Sequence, residues 1–103
     1  MESIRLDAYR LCCREEAMDL LGQALSLPRW WGRNLDALHD CLTDLGRPVQ
    51  LVLCGRAAME ASPFGRRLLR VLESSAAENP YLELASEQES VFAAENAGRD
   101  FSI

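Results

Sequence analysis

The stretch Val49-Gln-Leu-Val-Leu-Cys, apolar at all but one position and closed off by Pro48 and Gly55, constrains the fold more than any other part of the sequence. A short, partly β-branched run of this kind is the pattern of a parallel strand covered on both faces, and it takes the central place in a sheet. The flanking segments supply its neighbours. Ile4-Arg-Leu-Asp, followed by Ala8-Tyr-Arg-Leu, alternates apolar and polar and reads as a short, half-buried first strand. Tyr81-Leu-Glu-Leu-Ala alternates with a charged outward residue and reads as a third strand at a sheet edge.

Helices fill the intervals. From Glu15 onward, Ala17, Leu20, Leu21, Ala24 and Leu25 share one helix face while Glu16, Asp19 and Gln23 lie outside it, and Pro28 is predicted to stop the run. Arg29-Trp-Trp-Gly-Arg is a loop, after which Asn34 is placed as an N-cap. Leu35, Leu38, Leu42 and Leu45 then make a narrow inward seam that Gly46-Arg-Pro ends. Ser62 and Pro63 are a cap and a first-turn proline for a long helix with Phe64, Leu68, Val71, Leu72 and Ser75 on its buried side, ending near Asn79-Pro80. A short turn at Ala57 to Ala61 precedes it. The order strand, two helices, strand, helix, strand predicts an α/β fold: a small three-stranded parallel sheet packed with helices through right-handed crossovers.

A chain of 103 residues holds one domain and buries roughly two thirds of its unfolded surface, enough for a core without metals or disulfides. Its 16 acidic residues outnumber 11 basic ones, all arginine, for a net charge of −5. That balance argues against direct binding to nucleic acid or to anionic membrane and favours a basic protein partner. The longest apolar stretch is far below the roughly 20 residues that span a bilayer, and the N-terminus lacks a signal peptide's apolar run, so the expected location is the cytoplasm. Cys12, Cys13, Cys41 and Cys54 are then expected to stay thiols, and neither they nor His39 show metal-ligand spacing. No metal or other cofactor is expected.

Asp36, Asp40 and Asp44 recur every fourth residue on the second helix, so their side chains form one row away from the leucine seam. Like charges at this spacing cost roughly 0.2–0.5 kcal/mol per pair. Asp36 is favoured by the positive N-terminal end of the helix dipole, whereas Asp44 falls in the last turn, where a carboxylate is disfavoured. Two readings fit: a solvated face partly offset by Arg33 and Arg47, or an anionic ridge kept for a cationic pocket. Trp30, Trp31 and His39 beside the row give the composition of a binding hot spot and favour the second. A hydrolytic site built from His39 with Asp36 and Asp40 is disfavoured, since consecutive helix residues point about 100° apart and no nucleophile is placed by the pattern. Arg66, Arg67 and Arg70 read as a solvated basic face, with Arg70 able to pair with Glu73.

The segment Leu27-Pro-Arg-Trp-Trp-Gly-Arg-Asn-Leu-Asp-Ala-Leu-His-Asp-Cys-Leu-Thr resembles the signature loop and helix of the barstar family of ribonuclease inhibitors. There the pattern runs Leu-Pro, two aromatics, Gly-x-Asn-Leu-Asp-Ala-Leu-x-Asp-Cys-Leu-Thr. The order of elements agrees with that family from about residue 1 to 86, which leaves 87–103 as a C-terminal tail, docked or frayed, with Val91, Phe92, Phe101 and Ile103 as its only anchors. The resemblance implies one-to-one inhibition of a small basic ribonuclease by a monomer that has no turnover of its own. In that scheme loop and acidic helix occupy the enzyme's cleft, and carboxylates stand where RNA phosphates would lie.

By position, the resemblance makes Asp40 the principal carboxylate and Asp36 the second. Trp30 and His39 match an interface tyrosine and tryptophan, Gly32 matches the turn that lies close to the enzyme, and Asn34 belongs to the same contact segment. Two departures stand out. Asp44 and Leu45 replace the family's glycine and tryptophan, and the acidic contact late in the long helix falls on Ser74, with Glu73 and Glu78 as neighbouring carboxylates. An interaction or immunity module that binds a different basic protein through the same helix is the alternative function.

Overall fold

The computed structural model describes residues 2–87. Strand β1 (Glu2–Asp7) leads through a 3-10 turn (Ala8–Leu11) to helices α1 (Arg14–Ala24) and α2 (Leu35–Thr43). Strand β2 (Val49–Cys54) follows, then α3 (Arg56–Glu60), α4 (Pro63–Glu78) and β3 (Leu82–Glu87). The sheet is wholly parallel in the order β1-β2-β3, with Ile4 level with Leu51 and Leu51 level with Leu84. The predicted α/β class, the central place of Val49–Cys54 and the edge position of the third strand are all present. β3 includes Glu87, so one residue of the expected tail is strand; the rest of that tail, with Val91, Phe92, Phe101 and Ile103, lies outside the described residues.

One expectation about β2 is corrected. Val49, Leu51 and Leu53 are fully buried, but Gln50, Val52 and Cys54 on the opposite face are only half-buried. Each crossover steps to the next strand in the same direction, so two right-handed crossovers deliver their helices to the same side of the sheet. The other face carries a row of polar bonds in which Ser3 Oγ donates to Gln50 Oε1 (2.9 Å) and Gln50 Nε2 donates to Glu83 Oε1 (3.2 Å), while Arg5 pairs with Glu87.

The core of the described residues lies under the helical layer and joins Leu6, Leu11, Leu21, Leu38, Leu42, Leu51, Leu53, Leu68 and Leu72. α1 ends before Pro28, at a left-handed Ser26 (φ 55°). Leu27 N donates to Gly22 O (2.9 Å) and Ser26 N to Gln23 O (3.2 Å), the paired bonds of a Schellman close that usually employs glycine. α4 begins as predicted, with Ser62 Oγ accepting from Gly65 N. Gly65 itself is required by packing, since a Cβ there would stand 2.5 Å from the Met59 carbonyl oxygen.

Candidate functional site

α2 begins at Asn34, whose Oδ1 accepts from Ala37 N at 2.8 Å while its Nδ2 donates back to Gly32 O at 3.1 Å. One side chain thus caps the helix and fixes the preceding turn. Gly32 (φ 98°) and Arg33 (φ 51°) are both left-handed, and a Cβ on Gly32 would stand 2.7 Å from that of Ala37, so glycine is needed there on both counts. Asn34 and Gly32, singled out as contact residues, therefore also set the shape of the loop.

The adjacent tryptophans face opposite ways, so that of the two aromatics placed beside the row only Trp30 is open to a partner. Trp30 is 82% exposed and Trp31 only 7%. The Trp31 indole lies over α1, where a Cβ at Gly22 would come within 3.1 Å of its Nε1. Arg33 reaches α1 as well and pairs with Asp19 at 2.7 Å. With Trp31 and Arg33 committed to α1, the loop presents Trp30 outward.

On α2, Leu38 and Leu42 are buried and Asp36, Asp40 and Asp44 are exposed. None of the three aspartates is ion-paired among the described residues. The expected offset by Arg33 and Arg47 is corrected: Arg33 is held by Asp19, and Arg47 by Glu2 at 3.3 Å. Each arginine is drawn to a carboxylate on another element. The row's field is felt by its neighbour Cys41, whose thiol pKa is raised first by burial and then by Asp40 and Asp44.

The long helix resolves the acids near Ser74. Glu73 pairs with Arg56, which also bonds Glu60 and Ser86, so Glu73 is committed to α3 and β3, and the expected Arg70–Glu73 pair is absent among the described residues. Glu78 instead reaches α2: its Oε2 lies 3.1 Å from His39 Nε2 and accepts from Ser74 Oγ at 3.4 Å. The structure thereby brings His39, Ser74 and Glu78 together beside the aspartate-bearing helix. Asn79, which the sequence marks only as a helix end, is 4% exposed and donates through Nδ2 to the carbonyls of Leu42 (2.9 Å) and Leu45 (3.1 Å), while its Oδ1 accepts from Tyr81 N. It closes the C-terminal end of α2 and starts β3. Among the described residues no group of three His, Cys, Asp or Glu side chains is placed to hold a metal ion, and no helix is long and apolar enough to cross a membrane.

The Barstar family model, described as Barstar (barnase inhibitor), matches residues 1–96. The chain belongs to the barstar family. The match spans every element from β1 to β3, and with it the capped helix, the left-handed turn and the paired tryptophans. Barstar-family proteins are inhibitors of ribonucleases such as barnase rather than enzymes. A search of curated proteins gave no match.

Proposed function

We propose that this chain is a cytoplasmic inhibitor of a small basic ribonuclease and acts as a monomer that closes the enzyme's active-site cleft one-to-one with α2 and the loop before it. Asp40 and Asp36 supply the carboxylates that stand in for RNA phosphates, and Asp44 extends the row. Trp30 supplies exposed aromatic area, and the Gly32 turn lets the loop backbone approach the enzyme closely. The observation that carries this reading is the exposed aspartate row, which among the described residues has no ion pair while Arg33 and Arg47 are committed to Asp19 and Glu2. An isolated folded chain gains nothing from such a row, but a cationic cleft does.

Glu78 is the additional acid on this surface, with Ser74 and His39 holding it; Glu73 is turned to Arg56. His39, Asp44 and Leu45, which stand where the family pattern has other residues, favour a partner that differs in detail from barnase. Barnase activity titrated with the chain is expected to fall linearly and to vanish at one equivalent. Undiminished activity in the presence of the folded chain, together with retention of a basic protein that is not a nuclease in a pull-down, would replace this reading with the interaction-module alternative.

A further inference from the structure

α4 carries, with the opposite sign, the kind of pattern seen on α2. Its arginines Arg66, Arg67 and Arg70 are all exposed and lie in its N-terminal half. Like charges at three- and four-residue spacing repel, and positive charge early in a helix opposes the dipole. One of them is held by the fold, since Arg66 Nη1 donates to Glu60 O at 3.1 Å. Among the described residues neither Arg67 nor Arg70 pairs with a carboxylate, and Glu73, three residues from Arg70, is taken by Arg56. Arg14 on α1 and Arg29 in the loop are unpaired too, but neither has a second free cation on its own element.

At 100° per residue, Arg67 falls about 20° from Glu78 around the α4 axis, Ser74 about 40° and Arg70 about 80°, while Arg66 and Glu73 are turned away by about 120° and 140°. The contacts agree: Glu78 reaches His39 on α2, whereas Arg66 and Glu73 bond α3. Arg67 therefore lies on the α2 side of α4, and Arg70 beside it on the solvent side. Both helices return the chain from the C-terminal to the N-terminal ends of parallel strands, so they run in the same direction, and their last turns meet where Asn79 donates to the Leu42 and Leu45 carbonyls. Arg67 and Arg70, about 16 and 12 Å before Glu78 along the axis, thus stand toward the N-terminal end of α2, where Asp36 and the Trp30 loop are.

From this arrangement we infer that Arg67 and Arg70 are a second, cationic part of the docking surface and that they receive a carboxylate which the basic partner carries beside its cleft. The inference rests on the reading of α2 as the ribonuclease-binding face. A partner that is positive everywhere, seated on the aspartate row, would bring its charge against these two guanidiniums as well, and like charges placed face to face oppose binding. A partner with an acid at that point gains there instead, and the guanidinium fork suits a carboxylate. The chain's net charge of −5 steers any basic protein toward it. The pair of arginines adds the orientation, because only one way of seating the partner puts its cations on the aspartates and its acid on α4. RNA is disfavoured as the occupant by the net charge and by the carboxylates of Glu78 and Asp36 on the same side.

Charge reversal tests this, with barnase as the probe. Arg67→Glu, Arg70→Glu and Arg66→Glu change the net charge by the same amount, and all three relieve repulsion and suit the helix dipole, so each is expected to melt no earlier than the wild type. Arg66→Glu, on the far side of α4, is expected to bind barnase at least as tightly as the wild type, through faster association. Arg67→Glu and Arg70→Glu are expected to bind about tenfold more weakly or worse, through faster dissociation. Arg70→Gln, which removes the charge without reversing it, is expected to show a smaller loss of the same sign. Reversals at 67 and 70 that tighten binding as Arg66→Glu does overturn the inference and leave ribonuclease binding standing. Retention of a labelled single-stranded RNA by the wild type, lost in Arg67→Glu and Arg70→Glu, assigns the pair to nucleic acid and overturns it too. No binding of barnase by the wild type overturns the ribonuclease reading, and the inference falls with it.

Discussion

The two sides of α2 are handled in opposite ways. Toward the core, Leu38 and Leu42 are fully buried, and the carbonyls of Leu42 and Leu45 receive the amide of Asn79. The Thr43 hydroxyl adds its one proton to the helix end, within reach of His39 O (2.9 Å) and Asp40 O (3.1 Å). Toward solvent, Asp36, Asp40 and Asp44 stand in a row that repels itself, while carboxylates elsewhere, such as Glu2, Glu16, Asp19, Glu60, Glu73 and Glu87, are paired with arginine. Matched groups hold the fold, and the unmatched ones are available to a partner. Residues 30 and 31 repeat the division within the loop, with one tryptophan turned out and one turned in.

That division can be broken residue by residue. Trp31→Ala removes a core aromatic and is expected to cost about 3–5 kcal/mol of stability. Trp30→Ala is expected to leave stability within about 0.5 kcal/mol and to weaken binding by about 2 kcal/mol. Denaturant unfolding and inhibition assays on both variants check the pair, and comparable losses of stability would erase the distinction. Asn79→Ala strips the side-chain donor from the Leu42 and Leu45 carbonyls and the side-chain acceptor from Tyr81 N, at about 1–3 kcal/mol for a group of this kind. A melting temperature lower by about 4–8 °C per kcal/mol is expected. An unchanged melting temperature would mean that water replaces the amide at no cost.

The smallest effect concerns Cys41. Its thiol is the favoured form in the fold, because burial and then Asp40 and Asp44 oppose the thiolate. The corresponding stability is present below the ordinary thiol value of about 8.5 and is lost as pH rises through the higher folded value. Alkylation of Cys41 near pH 9 is therefore expected to be slower than that of exposed Cys13, and faster in Asp40→Ala than in the wild type. Equal rates at the two cysteines would contradict the shift.

Much of this architecture is legible in the sequence because it is local. The apolar run at Val49–Cys54 marks the central strand, and Asn34 and Ser62 cap the helices that follow them, as their side-chain acceptor bonds show. The aspartate row follows from four-residue spacing alone. What the sequence leaves open depends on contacts between distant elements. The composition of Val49–Cys54 does not say that the described helices all pack on one face of the sheet, because crossover direction decides that. Ser26 gives no sign of ending α1, since a serine seldom adopts the left-handed conformation that closes the helix. Glu73 and Glu78 are equally acidic on paper; only the approach of Arg56 to one and of His39 to the other separates them.

The account turns on Asp40, and a single variant tests it with two readouts. Asp40→Ala relieves repulsion from Asp36 and Asp44 and introduces a better helix former, so thermal stability is expected to stay level or to rise by a few tenths of a kcal/mol. In the complex the same change leaves a desolvated cationic pocket without its carboxylate, at a cost of about 3–5 kcal/mol, enough to abolish inhibition of barnase at concentrations where the wild type is complete. A variant that melts as the wild type does but no longer inhibits is the predicted result. A variant that melts much earlier, or one that inhibits as well as the wild type, would contradict the claim that this face of α2 is kept unmatched for a basic partner.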